Sequence, residues 1–218
     1  MSHVFGNIQF TVGCPEHRVR FDTYEGEPRN ADLSLLGEVP DGLVAISVEA
    51  KADERFGSSV QGTWNAAKKR LDKGETSYAG DRVRDLLDAV AGKGVIERIG
   101  LLELPYQLVT AVAGALALAL DSRVLEQERP VRAALLVNHG LVGGKPESGK
   151  VATGFRKIER NAAVLEKFIE TVFGTGAKPD DCGIYGPFTV PGNKHLPAGV
   201  PLYLGKITQQ VGAAGPVC

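Results

Sequence analysis

An acid and a base at the end of an apolar run are the residues best suited to chemistry in this chain. The run Gly42 to Lys51 reads "GLVAISVEAK", and alternation along a strand puts Glu49 and Lys51 on the same face as Ala45 and Ser47. Side chains two positions apart on a strand stand about 6–7 Å apart at their roots. Glu49 and Lys51 can therefore act on one small group, or form a surface ion pair of about 0–1 kcal/mol.

A second carboxylate belongs to the preceding run, "ADLSLLG", which also has the pattern of a strand. The turn sequence "GEVPDG" joins the two runs and predicts an antiparallel hairpin. Asp32 points to the same side as Ser34, so pairing of the strands would bring Asp32 and Glu49 together near one end. Two carboxylates of this kind bind a hard cation such as Mg²⁺. Lys51 beside that metal could orient a water and stabilise charge on a phosphoryl oxygen.

An Asp on one strand followed by Glu-x-Lys on the next resembles the PD-(D/E)xK phosphodiesterase superfamily, which has a restriction-endonuclease-like core. The matching residues here are Asp32 and Glu49-Ala50-Lys51. The wording of "VEAKADERFG", "LPYQLVTA" and "RAALLVNH" is similar to that of an uncharacterised bacterial family within this superfamily, and the resemblance covers roughly residues 30 to 140. It implies a nuclease that hydrolyses phosphodiester bonds in nucleic acid, with DNA favoured and RNA left open.

The same resemblance implies a role for each matching residue. Asp32 and Glu49 would bind Mg²⁺ or Mn²⁺, and the carbonyl of Ala50 would complete the metal's shell. Lys51 would assist the attacking water, and Gln107 matches a polar position that the superfamily often directs toward the site. The helix that often supplies another carboxylate is not visible in this sequence. Its substitutes, left unranked, are Glu16, Glu25, Glu27 and Glu54.

The rest of the chain predicts an α/β fold, with a mixed β-sheet flanked by helices. The 218 residues are expected to form a single domain, a nuclease-like core followed by a C-terminal helix and strands. Residues 1 to 31 are predicted as short extended pieces and loops. Helices are predicted at Val60–Leu71, Asp81–Val90 with Asp81 as N-cap, Leu104–Leu120 and about 154–173, and strands at Val131–Gly140, "GPFTVPG" and "VPLYLGKITQQV".

Composition narrows the setting in which the protein works. A formal charge of −1 means that contact with nucleic acid needs a local basic patch, for which the candidates are Lys68, Arg70, Arg156 and Arg160. Three distant cysteines and the lack of a secretory signal favour a reducing cytoplasm. The apolar run "LPYQLVTAVAGALALAL" is shorter than the roughly 20 residues that a bilayer needs, so no membrane association is expected. The oligomeric state stays open, a homodimer included.

Two other functions compete with the nuclease interpretation. The first is a non-catalytic module that binds nucleic acid or protein on a nuclease-like fold. The second is nucleotide binding by the loop Gly144 to Lys150, "GKPESGK", which resembles a phosphate-binding loop. That motif needs Ser or Thr after the lysine to bind Mg²⁺, and Val151 has no hydroxyl. His139, at the end of a buried strand, is predicted to cap or to hydrogen-bond within the core.

Overall fold

Extended segments from both ends of the chain meet in a six-stranded mixed sheet. The computed structural model describes residues 2–51, 54–94, 99–125, 129–142, 150–196 and 198–211. In sheet order β1-β2-β3-β4-β6-β5, only the β3–β4 and β4–β6 neighbours are parallel. The predicted α/β class, a mixed sheet flanked by helices, is confirmed. The strands are β1 (Gln9–Val19), β2 (Arg29–Val39), β3 (Gly42–Lys51), β4 (Val131–Val142), β5 (Ile184–Phe188) and β6 (Leu202–Val211).

Helices fill the connections between the strands. They are α1 (Ser2–Phe5), α2 (Val60–Asp72), α3 (Ala79–Ala91), α4 (Ile99–Leu102), α5 (Tyr106–Leu125) and α6 (Lys150–Phe173). The hydroxyl of Ser59 caps α2 by accepting a hydrogen bond from the N–H of Gly62 at 3.1 Å. The prediction that Asp81 caps α3 is wrong, because the helix starts two residues earlier and Asp81 lies in its first turn. An acid is also favourable there, since it faces the positive end of the helix dipole.

The predicted hairpin is confirmed, and it places the acid–base pair. Leu33 pairs with Val48 and Ser34 with Ser47, so Ser34 and Ser47 lie side by side on one face. The prediction of short pieces before Asn30 is wrong, because β1 is an 11-residue strand paired with β2. Most of β1 is exposed at the sheet edge, where no buried face enforces an alternating pattern.

Helix α5 packs across β3 and β4 and lies in the centre of the core. Its side chains are apolar on all sides because the sheet covers one face while α3 packs against another. Pro105 directly precedes the helix, whereas the predicted helix Leu104–Leu120 included it in the first turn. No helix in the described parts of the chain is both long and apolar enough to cross a membrane. Residues 143–149, most of the proposed nucleotide-binding loop, lie outside the described residues.

Candidate functional site

Glu49 lies where β3 ends and is bound by donors from three different elements. Its Oε1 accepts a hydrogen bond from Gln107 Nε2 and lies 2.7 Å from Lys51 Nζ, while its Oε2 forms an ion pair with Arg29. Glu49 is only 3% exposed and Lys51 is equally buried. We call Arg29, Glu49, Lys51 and Gln107 the Glu49 cluster. Three of its members were predicted site residues, and the structure brings them into contact.

Gln107 reaches the cluster because α5 begins beside the loop that follows β3. The N–H of Tyr106 donates to the carbonyl of Ser58 at 3.0 Å, which holds the start of α5 against this loop. Gln107 Oε1 accepts a hydrogen bond from the N–H of Gly57 at 3.2 Å. One amide side chain therefore fixes both the Glu49 carboxylate and the chain just before α2.

Arg29 is the member of the cluster that the sequence prediction missed. Its Nη1 lies 3.4 Å from Thr110 Oγ1, and its aliphatic stem passes over Gly114, where a Cβ would come within 3.1 Å of Arg29 Cδ. Glycine at this position of α5 leaves room for the stem. Strict alternation would put Arg29 on the face opposite Ser34, because five positions separate them.

A local distortion of the sheet accompanies the change of face along β2. The pairs Pro15–Leu33 and His17–Ala31 flank Glu16 and Asp32, and Glu16 has a φ of 50°. A positive φ is uncommon for a residue other than glycine and interrupts regular strand geometry. Glu16 lies on β1 between Cys14 and Val19, the register partners of Ser34 and Arg29, so it is beside the stretch of β2 where the alternation must break.

Asp32 joins the site through the backbone of the neighbouring strand. Its Oδ2 accepts a hydrogen bond of 2.6 Å from the N–H of Ala50. The pairing of Leu33 with Val48 places Asp32 beside Glu49 at the end of the hairpin. Asp32 is half-buried and Ala50 is exposed, so this side of the cluster is open to solvent.

The glutamates considered as a third carboxylate occupy different places. Glu54 lies 3.7 Å from Lys51 and is half exposed. Glu16 lies on β1, opposite Asp32 of β2, and its carboxylate accepts a hydrogen bond from Asn30. Glu25 and Glu27 are exposed in the loop before β2. The described residues contain no group of three or more His, Cys, Asp or Glu side chains arranged to hold a metal.

The donors still suit Mg²⁺ or Mn²⁺ bound mainly through water. Mg²⁺ in proteins is commonly bound by one or two carboxylates and keeps several waters. Asp32 and Glu49 supply two carboxylates from adjacent strands. Ala50, whose N–H donates to Asp32, is exposed to solvent. Binding at Glu49 requires one of its oxygens to exchange a donor, and Arg29 holds one of the two oxygens.

His139, on β4, is buried next to Lys51, its register partner on the parallel strand β3. Neither ring nitrogen has a hydrogen-bond partner in the structure, so the prediction of a core hydrogen bond is wrong for the described chain. Burial, with the positive charges of Lys206 and Lys51, lowers the pKa of His139 to about 4. The imidazole is therefore neutral at neutral pH and adds no third positive charge beside Lys51.

A family model matches more than half of the chain. The family model described as "Domain of unknown function (DUF6946)" matches residues 1–137. The chain belongs to this family. No curated protein and no solved structure matched the chain. The matched region of the DUF6946 chain contains the whole Glu49 cluster and Asp32, whereas α6 and β6 lie beyond it.

The basic residues predicted to contact nucleic acid lie on two helices. Lys68 and Arg70 are exposed on α2, and Arg156 is exposed on α6. Arg160, also on α6, is half-buried, and its Nη2 lies 3.4 Å from the carbonyl of Glu54. Arg160 therefore contacts the backbone of Glu54, whose side chain lies near Lys51. The other three basic residues face solvent.

A second polar cluster, also missed from the sequence, surrounds Asp85 of α3. Asp85 Oδ2 accepts a hydrogen bond from Tyr24 Oη at 2.7 Å and lies 3.4 Å from His195 Nε2. The side chain of Asn193 donates to the Asp85 carbonyl at 2.9 Å. We call Tyr24, Asp85, Asn193 and His195 the Asp85 cluster. The space that these side chains help to enclose has essentially no room for a water molecule.

Proposed function

We propose that this protein is a metal-dependent phosphodiesterase of the nuclease type that acts on nucleic acid, with DNA favoured. The observation that carries the proposal is the meeting of Asp32, Glu49, Lys51 and Gln107 at one end of the β2–β3 hairpin. We also propose that β2, β3, α5 and β4 correspond to a restriction-endonuclease-like core. The free thiols of Cys14 and Cys182 are in keeping with a reducing cytoplasm as its location.

Each residue of the site has a role that follows from its contacts. Asp32 and Glu49, with the Ala50 carbonyl, would hold Mg²⁺ or Mn²⁺. When bound, such an ion lowers the pKa of a coordinated water and neutralises charge on the phosphate. Lys51, held 2.7 Å from Glu49, presents an ammonium that orients the attacking water and stabilises charge on a phosphoryl oxygen.

Gln107 and Arg29 support this chemistry in different ways. Gln107 fixes the orientation of the Glu49 carboxylate and links it to Gly57. Arg29 balances the charge of Glu49 and adds a guanidinium whose planar donors match phosphate oxygens. Arg29 and Lys51 together balance the carboxylates of Glu49 and Asp32, so a bound divalent cation would supply the excess positive charge that suits a phosphodiester anion.

A second function is favoured by the same ion pairs. Both oxygens of Glu49 already have donors, and the described residues contain no three-ligand metal group. A non-catalytic module that binds nucleic acid through this strand end would use the same residues without a metal.

Metal binding and strand cleavage separate the two functions. We expect Mn²⁺ to bind the wild-type protein in calorimetry, and Mg²⁺ or Mn²⁺ to support cleavage of DNA or RNA. Asp32→Ala and Lys51→Ala should abolish cleavage while circular dichroism shows that the fold is kept. Asp41→Ala is the matched control, because Asp41 is an exposed aspartate at the opposite end of the same hairpin, paired with Arg132.

The opposite results would overturn the proposal. A protein that binds no Mg²⁺ or Mn²⁺ and cuts neither DNA nor RNA, but still binds nucleic acid, would have the second function. Cleavage retained in Asp32→Ala and Lys51→Ala would place any activity elsewhere in the molecule.

A further inference from the structure

A cleft of about 170 Å³ lies between α2 and α3, and the function proposed above does not use it. Trp64 and Lys68 line it from α2, and Arg84 lines it from α3. Gly80 contributes no side chain, and a Cβ at this position would lie 3.9 Å from Trp64 Cζ3. The volume is below the roughly 300–1,000 Å³ of pockets for drug-sized ligands, so the cleft suits one flat ring.

The cation on the floor of the cleft is only weakly held. The guanidinium of Arg84 lies over the Trp64 ring, 5.4 Å from its centroid. Arg84 also lies 3.3 Å from Asp81, but both side chains are at least half exposed. An exposed pair of this kind contributes about 0–1 kcal/mol. Arg84 can therefore exchange these contacts for a phosphate at little cost.

Two of the three charged residues that line the cleft are cations, Lys68 and Arg84, and the third is Asp81. Lys68, Lys69 and Arg70 form an exposed basic run near the end of α2, and Leu71 at the cleft is 55% exposed. Proteins bind single-stranded nucleic acid by combining basic side chains with aromatic rings on which bases stack. Trp64 beside Lys68 and Arg84 provides this combination.

Helix α2 also connects the cleft to the Glu49 cluster. Its first residue, Val60, donates to the carbonyl of Leu104 at 2.8 Å, three residues after Gly57, which Gln107 binds. At a rise of 1.5 Å per residue, Trp64 lies about 6 Å further along the helix axis and Leu71 about 16 Å. The start of α2 is therefore tied to the Glu49 cluster, and the residues of α2 that line the cleft lie one to three turns further along the same helix.

We propose that the cleft binds an unpaired base of single-stranded nucleic acid. The base takes the place of Arg84 on the Trp64 ring, and Arg84 and Lys68 bind the phosphates beside it. Bases within a duplex are stacked on their neighbours and cannot enter, so the cleft selects single strands. The ligand class rests on the proposed function, but the cleft itself needs no metal and no cleavage.

Trp64 is the chain's only tryptophan, so its fluorescence reports on the cleft alone. Oligothymidylate, titrated in the presence of EDTA to prevent cleavage, should quench this fluorescence in a saturable way. A duplex of the same length should have an affinity lower by about tenfold or more. Added salt should weaken binding of the single strand. Anisotropy of a labelled oligothymidylate gives the affinity when Trp64 itself is changed.

Variants assign the binding to the cleft. Trp64→Leu should weaken binding about tenfold or more, because stacking is worth about 1–3 kcal/mol per base. Arg84→Gln and Lys68→Gln should each weaken it severalfold and leave the core intact. Lys167→Gln is the matched control, because Lys167 is an exposed lysine on α6 and should leave binding unchanged.

Several results would overturn the inference. They are unquenched Trp64 with oligothymidylate, equal binding of the duplex, or full affinity in Arg84→Gln and Lys68→Gln; these two variants decide if Trp64→Leu does not fold. Quenching by oligothymidylate without any cleavage in Mg²⁺ or Mn²⁺ would instead contradict the proposed function and leave the inference standing. Cleavage without quenching would do the reverse.

Discussion

Glu49 and Asp85 both gather donors from distant parts of the chain, but they do so with different charges. Glu49 binds two cations, Arg29 and Lys51, and is almost fully buried. Asp85 accepts a hydrogen bond from the neutral hydroxyl of Tyr24, and the ammonium of Lys194 lies 3.8 Å away on a side chain that is 73% exposed. The Asp85 side chain is itself 27% exposed. The two side chains carry the same charged group, but Glu49 is more deeply buried and has two buried cations as partners.

The Asp85 cluster holds loops against α3, and we call it a latch for that reason, whereas the Glu49 cluster is the candidate functional site. The hydrogen bonds of Tyr24 and Asn193 to Asp85 join α3 to two loops, and the space between them is filled. Around the Glu49 cluster, Arg29 Nε, Ser47 Oγ and both nitrogens of His139 are buried without a hydrogen-bond partner, and in the Asp85 cluster the same is true of His195 Nε2. Such groups cost stability in both places, so the two clusters differ in the charge that they bury and not in whether every polar atom is paired.

Removal of Glu49 should have the largest effect on stability. In Glu49→Ala the buried Arg29 and Lys51 lose their shared counter-charge, so we expect a loss of about 3–5 kcal/mol of unfolding free energy. Asp85→Ala should cost only about 1–3 kcal/mol, because it leaves one hydroxyl without its acceptor. Urea unfolding followed by circular dichroism measures both.

A double variant tests the cause of that loss. Replacing Arg29 and Glu49 together by Met removes one buried cation with the carboxylate, so that of the two cations only Lys51 still lacks Glu49, and it should recover part of the stability lost in Glu49→Ala. An Asp85→Ala variant less stable than Glu49→Ala would show that the latch, and not the site, holds the greater electrostatic energy.

His139 should make stability fall as the solution is acidified. The pKa of His139 is about 4 in the folded protein and 6.5 in the unfolded chain, so the unfolded chain binds more protons between these two pH values. The stability that neutral His139 contributes is therefore complete above about pH 6.5 and is lost as the pH falls toward 4. His139→Gln should flatten this part of the profile of urea midpoint against pH. The same slope in wild type and variant would assign it to other groups.

The architecture could be predicted from sequence wherever a buried face enforces a period. The hairpin of β2 and β3 alternates over its core positions, and α5 and β4 are continuous apolar runs. Strand β1 could not be predicted, because its exposed edge position imposes no alternation and Pro15 and Gly13 weaken a strand pattern. Propensity without burial leaves such strands ambiguous.

The candidate site could be predicted as far as strand alternation holds. Glu49, Lys51 and Asp32 follow from parity along two paired strands, and Gln107 came from the family resemblance. Arg29 breaks that parity in the stretch of β2 opposite Glu16 of β1, and its path over Gly114 depends on a helix whose Thr110 is 81 residues away in sequence. Tyr24, Asn193 and His195 contact Asp85 across 61 residues or more, and no local pattern encodes such contacts.

Tyr24→Phe should have the smallest effect, and it isolates one bond of the latch. Burial, followed by the hydrogen bond and charge of Asp85, raises the pKa of Tyr24 to about 12. Loss of that bond should cost about 1–2 kcal/mol, since the ring contacts with Tyr78 and His195 remain. The folded protein binds the phenolic proton more tightly, so this stability is complete below pH 10 and is lost as the pH rises toward 12. An unchanged urea midpoint at neutral pH would show that the latch does not depend on the Tyr24 hydroxyl, and the contrast with Glu49 would then rest on charge alone.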